Sequence, residues 1–423
     1  MRYLFAAFAA LFALPVFAAD FPKFKAQEID TGLKIGYAVI VVDIDGDKKP
    51  DIVVVDQHKI VWYKNPGTQT GEWKKYTILD GKTRPDNVCI AAIDIDGDGL
   101  PELVVGAAWK PFDTAAAAQL VWLNRGKDVT QEWTMHELPC DEPTVHRVRV
   151  FDIDGSGKPA IVHVPLMGRG SSAKGNWTDG KPVRIVALKV PAKDPEKKEN
   201  WKTEVLSEEL NVCHNFWQSS EVFSTEGRKP LTPPIYVTSY EGVHMIGRHA
   251  DKWVTAKIGT GNQENPKGNR GASEIKNGKV GTKDKPAGVI ATIEPWHGNQ
   301  VVTYTQPKAG EKLWERHIID EQLRWGHAVT FADLDGDGVD ELIIGVRDDP
   351  NPKAGDTFKE RRGVRIYKNT DGKGGKWDRF ILEDGGVAVE DLTAADLDGD
   401  GKIDIIAVGR ATGNCRIYWN QGK

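Results

Sequence analysis

Five stretches of the chain place carboxylates at alternate positions of a glycine-containing turn and then run into an apolar strand: DIDGDKKPDIVVV, DIDGDGLPELVVG, DIDGSGKPAIVHV, DLDGDGVDELIIG and DLDGDGKIDIIAV. Oxygen ligands at positions 1, 3, 5 and 9 of such a turn suit Ca²⁺, a hard cation with irregular oxygen coordination. The expected ligands are Asp43, Asp45, Asp47 and Asp51, then Asp94, Asp96, Asp98 and Glu102, then Asp333, Asp335, Asp337 and Glu341, then Asp396, Asp398, Asp400 and Asp404. The remaining turn keeps Asp152 and Asp154 but has Ser156 and Ala160 in the other two places. An EF-hand would add a bidentate Glu at position 12. Here that position is Val54, Val105, His163, Ile344 or Ala407, inside a strand, so each turn joins two strands.

The turns also serve as a ruler. Six residues before the first Asp lie Tyr37, Val88, His146, His327 and Glu390, and in HNFWQSS, a stretch without the acidic turn, His214 takes the same place. Clustered His and carboxylate groups mark metal or acid–base centres. Imidazole ligands with an open coordination position suit Zn²⁺ or another divalent ion, which polarises a carbonyl while a proton is removed beside it. A second set of polar groups falls between later strands: Asp56 and His58, Trp109, Tyr240 and Glu241, Glu294, Trp296 and His297 in IEPWHGNQ, Arg347 with Asp348 and Asp349, and Arg410. Trp109, Trp217, Trp296 and Trp325 would stack on sugar rings, and the Arg and carboxylate groups would bind hydroxyls. His136 and His317 share a peripheral position, and His163, His244 and His249 have no convergent partner in the sequence. Cys213 beside His214 is set aside as a nucleophile because strand neighbours point to opposite faces. No GxSxG, HExxH, phosphate-loop or dinucleotide motif is present.

The elements that must position these residues repeat. Short amphipathic strands with an aromatic lead begin near Trp73, Trp133, Trp201, Trp253, Trp314 and Trp377, and FKAQEIDTG, from Phe24, supplies the copy missing after CRIYWNQGK. Seven units follow, each with an inner strand, a tight turn, two middle strands and an outer strand. The expected fold is an all-β, seven-bladed β-propeller over 19–423, closed by its N-terminal strand. In a four-stranded meander the acidic turns line one face. The starts of the inner strands and the turns between the second and third strands line the other, at the channel mouth. Chemistry is therefore expected opposite the acidic turns, with two long segments, 168–181 and 349–362, as candidate lids.

Residues 1–18, with Arg2 ahead of an apolar run that ends in small residues, read as a secretory signal peptide. A transmembrane anchor fits less well, because the run is short and holds Pro15. A secreted or periplasmic location follows, with no membrane association after cleavage. Four cysteines are too sparse for a disulfide framework. The formal charge of −5 would reverse on binding four divalent ions, and no nucleic-acid partner is expected.

The turns resemble FG-GAP or VCBS repeats and the loops of integrin α-subunit propellers, over nearly all of the mature chain. CHNFW, GASEIKNGK, IEPWHGNQVV and RWGHAVTFADLDGDG further resemble the propeller part of aldos-2-ulose dehydratase, a lyase that removes water from keto-sugars such as 1,5-anhydrofructose. That resemblance implies a divalent metal at the propeller and metal or acid–base roles for His146, His214, His297 and His327. The family's C-terminal cupin domains are not found in the sequence, so its later isomerisation step is not carried over. The reading that results is a metal-dependent lyase acting on a keto-sugar or oxidised glycoside. His146, His214 and His327 hold the metal, His297 or Glu390 acts as base or acid, Tyr240 and Arg347 position the substrate, and Trp109, Glu241, Glu294, Trp296 and Arg410 bind it. The alternatives are a non-catalytic carbohydrate- or protein-binding propeller, or a polysaccharide lyase or glycosidase using Glu294 and Glu390 as a carboxylate pair.

Overall fold

Runs such as Asp51–Val55 and Glu341–Val346 are buried at every position, which happens only when a sheet is covered on both faces. The computed structural model, which describes residues 21–219, 232–265, 268–347 and 362–423, meets that demand by stacking seven four-stranded antiparallel sheets as the blades of a propeller. The expected leader, 1–18, and nearly all of the second candidate lid, 349–362, lie outside the described residues. Blades 1 to 6 span 38–80, 89–137, 145–210, 216–259, 275–320 and 326–384, and each is built from consecutive strands. Blade 7 takes three strands from 389–422 and its outermost strand, Lys23–Asp30, from the other end of the chain; this strand pairs antiparallel with Cys415–Gly422. Among the described residues the only helical turn is Lys198–Asn200, and no helix is long and apolar enough to cross a membrane.

The recurring Trp ahead of each outer strand fastens one blade to the next. Trp133 donates its backbone N–H to Ile78 O of blade 1 at 2.9 Å, and Trp314 does the same to Ile258 O of blade 4 at 2.8 Å. Trp73 packs against Trp419 with ring centroids 6.5 Å apart. Trp62, Trp122, Trp133 and Trp419 are among the largest fully buried side chains, so the core lies between blades rather than within one.

Each acidic turn wraps its first Asp in backbone donors. Asp43 accepts from Gly46 and Lys48, both at 2.8 Å, and Asp333 from Gly336 at 2.8 Å and Gly338 at 2.9 Å. Asp152 is held in the same way, by Gly155 at 2.8 Å and Gly157 at 2.9 Å, so the turn with Ser156 and Ala160 keeps the shared conformation. Gly336 and Gly338 have φ of 75° and 89°, a region in which a Cβ is strained. Lys64, Lys189 and Lys368 reach into three of the turns and pair with Asp45, Asp154 and Asp335. All four cysteines are unpaired.

Removing Lys23–Asp30 would leave Cys415–Gly422 as an open sheet edge, which invites pairing with other chains. A chain without residues 21–30 should unfold roughly 4–6 °C lower, as expected for a loss of about 3–5 kcal/mol in a domain of this size, and should self-associate. Calorimetry and light scattering would read both effects, and an unchanged midpoint would show that the strand does not close the ring.

Candidate functional site

At the channel mouth Tyr37, Val88, His146, His214, Ser273, His327 and Glu390, one from each blade, stand within two residues of the start of an inner strand. The β-ladder shifts register between Val145 and Arg147, between Gly326 and Ala328, and between Val389 and Asp391. A bulge of this kind leaves one residue unpaired and re-aims its side chain. In these three blades that residue is His146, His327 or Glu390. A fourth imidazole comes from the turn between Lys285–Glu294 and Gln300–Thr305 of blade 5. His297 there has φ 53°, and Trp325, just before the inner strand of blade 6, has φ 55°. Such conformations are costly for non-glycine residues and gather at functional sites. The two rings stack at 5.3 Å with planes 20° apart.

His214, His297 and His327 each bring a ring nitrogen to within 4.8 Å of the others, and His214 Nε2 lies 3.0 Å from His297 Nε2. The opposite nitrogens of two of these rings face acceptors, His327 through a hydrogen bond and His214 through a close ion-pair contact that lacks hydrogen-bond geometry. His214 Nδ1 is 2.7 Å from Glu274 Oε1, and His327 Nδ1 is 2.6 Å from the carbonyl of Glu390. Fixing Nδ1 against an acceptor selects the tautomer whose Nε2 lone pair is free, the arrangement found around metal-bound imidazoles. Burial, with Arg147, Arg347 and the neighbouring rings adding to it, holds His214, His297 and His327 well below the ordinary His value. They are therefore neutral at neutral pH, as a ligand must be. Three convergent neutral imidazoles, two of them with Nδ1 facing an acceptor, fit a borderline divalent ion such as Zn²⁺.

His146 stands apart from this set, although the sequence reading grouped it with His214 and His327 and left His297 outside. Its ring lies 4.5 Å from that of His214 and 4.9 Å from that of Trp109. His146 Nδ1 is 3.0 Å from the carbonyl of His214, and Arg147 Nη1 lies 3.1 Å from both of its ring nitrogens.

Two carboxylates and three guanidinium groups frame the imidazoles. Glu390 is buried and accepts from Arg347 at 3.0 Å and Arg410 at 2.8 Å. Burial alone would raise its carboxyl, but the two Arg side chains outweigh that effect and hold it below the ordinary Glu value. A carboxylate tied to two cations is a poor proton acceptor, which argues against the base role expected of Glu390. Arg347 also lies over the Trp325 ring at 4.8 Å and Arg410 over the Tyr37 ring at 5.1 Å. Glu274 pairs with Arg147 at 3.2 Å and with the Asn215 amide. Sequence reasoning missed Glu274, because blade 5 has lost the acidic turn used as a ruler. It sits one residue further into the strand, in GASEIKNG. Beneath the mouth the channel widens into a cavity of about 330 Å³. One side of it is lined by Ala38, Ile40, Cys89 and Ala91, the other by Arg149 and Lys276.

Other expected contacts are placed differently. Glu294 is fully buried inside blade 5, where it accepts from Tyr304 at 2.6 Å and Arg316 at 2.9 Å. This removes it from the substrate surface and from a pair with Glu390. Glu241 caps the backbone and side chain of Asn211 at 3.1 and 2.8 Å. Tyr240 is buried, its ring 4.1 Å from the Arg270 guanidinium carbon and its hydroxyl bonded by Asn176 of the first candidate lid. That lid is anchored, since its Trp177 packs with Leu166, Met167 and Tyr240, next to Trp109 and Trp296. Trp296 lies 6.4 Å from His214. Cys213 is fully buried and its thiol is pushed well up by burial. His58 is exposed, away from this cluster.

Fold and site together define a seven-bladed propeller with a histidine-rich centre at one end of its channel. Residues 117–307 match the family described as aldos-2-ulose dehydratase, beta-propeller domain; residues 43–105 and 357–407 match FG-GAP-like repeats. The first match carries His146, His214, Glu274 and His297 and ends before His327. Aldos-2-ulose dehydratase from Phanerodontia chrysosporium is 24% identical over 381 residues, which cover 84% of this chain and 40% of that protein. The chain thus spans less than half the length of this curated relative. Two crystal structures of BBS1N in complex with ARL6DN, soaked with mercury and with lead, align with TM-scores of 0.54 and 0.51 at 12% and 13% identity. Both alignments cover 96% of this chain and 98% of the other, and they speak to the fold alone. The chain is a seven-bladed propeller that carries FG-GAP-like repeats in two stretches and resembles, at a distance, the propeller domain of aldos-2-ulose dehydratase.

Glu390→Gln tests the charge frame. Because the folded carboxyl lies below its ordinary value, the stability it contributes is complete above the ordinary Glu value and is lost as pH falls through the folded one. The variant should be less stable by about 3 kcal/mol near pH 7, as for a broken buried ion pair. Denaturant midpoints measured across the acid range should show this deficit shrinking as pH falls.

Proposed function

We propose that the protein is an exported, metal-dependent carbon–oxygen lyase that eliminates water or an alcohol from a keto-sugar or oxidised glycoside. The observation that carries this reading is the convergence of His214, His297 and His327 with Glu274 behind His214. The distant relation to a dehydratase propeller supports a carbohydrate as the substrate class. A divalent ion held by these three imidazoles would polarise the carbonyl beside the carbon that loses its proton. Arg347 and Arg410, already oriented by Glu390, present donors to sugar hydroxyls. Trp109, Trp296 and Trp325 offer flat faces for the ring. His146 is the proton acceptor in this scheme. Its Nδ1 donates to the carbonyl of His214, burial and the Arg147 guanidinium keep the ring neutral, and Nε2 becomes the basic atom once Arg147 Nη1, 3.1 Å away, turns to a substrate oxygen.

Two variants separate the roles. His297→Ala should lose the transition-metal equivalent held at the mouth and, with it, turnover. His146→Gln should keep the metal and lose turnover by about a hundredfold or more, the usual worth of a general base. Metal analysis and ultraviolet detection of the enone product would read the outcome, and full turnover in His146→Gln would sink the assignment. A wild-type protein with no transition metal at the mouth and with its keto-sugar unchanged after incubation would favour the second reading, a binding propeller without chemistry.

The acidic turns are proposed as structural Ca²⁺ sites. In support, carboxylate oxygens of Asp43, Asp45 and Asp51, of Asp94, Asp96 and Glu102, and of Asp333, Asp335 and Glu341 lie within 4.8 Å of one another. Burial, together with neighbouring carboxylates, pushes Asp51, Glu102, Glu341 and Asp404 up to about 7. A carboxyl raised on folding stabilises the ion-free protein at low pH, and that contribution is lost as pH rises through the folded value. Ca²⁺ must displace these protons, so its stabilising effect should grow with pH. The midpoint difference between Ca²⁺ and a chelator should be small near pH 5 and several-fold larger near pH 8. A pH-independent difference would contradict the assignment.

A further inference from the structure

Blade 3 buries a second set of metal-type donors that the mouth chemistry does not use. Cys140 and Glu142 lie on the segment joining the outer strand of blade 2, Thr134–Glu137, to the inner strand of blade 3, Val145–Phe151. His163 lies on the second strand of blade 3, Ala160–Pro165. The sequence offers His163 no partner, because Cys140 and Glu142 are more than twenty residues earlier and reach it only through blade-to-blade packing. In the fold one donor atom from each of the three residues falls within 4.8 Å of the others.

His163 is the independent observation. It is fully buried, and neither ring nitrogen has a hydrogen-bond partner. An imidazole removed from water with both nitrogens unmet carries the full desolvation cost, so a buried ring of this kind calls for a ligand. Glu142 Oε2 is 3.9 Å from His163 Nε2, too long for a direct bond and wide enough for an ion between them. The other carboxylate oxygen, Oε1, accepts from Arg184 at 2.6 Å, which fixes the group and leaves Oε2 turned toward the imidazole. Cys140 Sγ makes only a weak contact, 3.7 Å, with the carbonyl of Glu142.

We propose that Cys140, Glu142 and His163 form a Zn²⁺ site separate from the histidine centre at the channel mouth. Sulfur, imidazole and carboxylate donors together select a borderline ion over Ca²⁺ or Mg²⁺. Thiolate and carboxylate offset its two positive charges, and Arg184 holds the carboxylate from outside, as second-shell groups do around zinc. Three protein ligands leave a fourth position. A cavity of about 100 Å³ lined by Glu142, Pro165 and Arg184 lies on the Glu142 side of the cluster. Binding releases the thiol proton to solvent and involves no change of oxidation state.

The test uses the full chain stripped with a chelator and titrated with Co²⁺, then with Zn²⁺ in competition. A thiolate-to-cobalt charge-transfer band is expected in the wild type and in His297→Ala, which lacks the mouth centre, so failure of that centre does not affect the reading. Cys140→Ser, a nearly isosteric change at a half-buried position, should fold normally, lose the band and bind one Zn²⁺ equivalent fewer. His163→Gln, if it folds, should also lose the band. Cys89, Cys213 and Cys415 remain in Cys140→Ser as internal controls. Absence of the band in the wild type, or its persistence in Cys140→Ser, would overturn the proposal and leave a buried water as the partner of His163.

Discussion

Face-to-face packing of the blades is the constraint on which everything else depends. A middle strand that is apolar on both sides cannot be solvated, so each blade needs a neighbour on each side, and only a closed ring gives every blade two. The strand pairing between Lys23–Asp30 and Cys415–Gly422 ties the last blade together from both ends of the chain. Leading Trp residues then fasten outer strands across blade boundaries. Because these contacts are spread around the whole circle, the channel keeps a fixed width without a core of its own.

That rigidity is what allows charge to be buried at the mouth. Four imidazoles, two carboxylates and three guanidinium groups would repel or hydrate one another on a mobile surface. Here each is held by a strand that cannot shift without disturbing both neighbouring blades. Bulges at His146, His327 and Glu390 turn single side chains toward the channel and leave the flanking ladder intact. The acidic turns lie at the far ends of the same strands. Over the seven residues of Gly326–Ala332 the rise is roughly 20 Å, far enough for an ion there to stiffen the strand without taking part in chemistry at its other end.

The placement of His297 rather than His146 beside His214 and His327 nitrogens follows from the same geometry. His146 and His214 come from adjacent blades, and His146 meets the carbonyl of His214 rather than its lone pair. His297 stands on a turn and can lean over the channel to meet His214 and His327. Counting residues along strands finds which side chains reach the mouth, but not which nitrogens converge there.

The sequence by itself determined the seven-fold repeat, the strand order, the split last blade and the face on which the inner-strand His and Glu residues gather. These depend on local periodicity: alternating apolar positions, Asp and Gly at fixed turn places, and a Trp at each outer strand. It also marked His146, His214, His297, His327, Arg347 and Arg410, which the fold gathers at one end of the channel. Only the tertiary structure decided that Glu294 is sealed inside a blade, that Glu390 is neutralised by two Arg side chains, that Glu274 backs His214, and that Cys140 and Glu142 meet His163. Each of those facts is a contact between residues far apart in the chain. No local pattern encodes such a contact, because its distance is set by how whole blades pack.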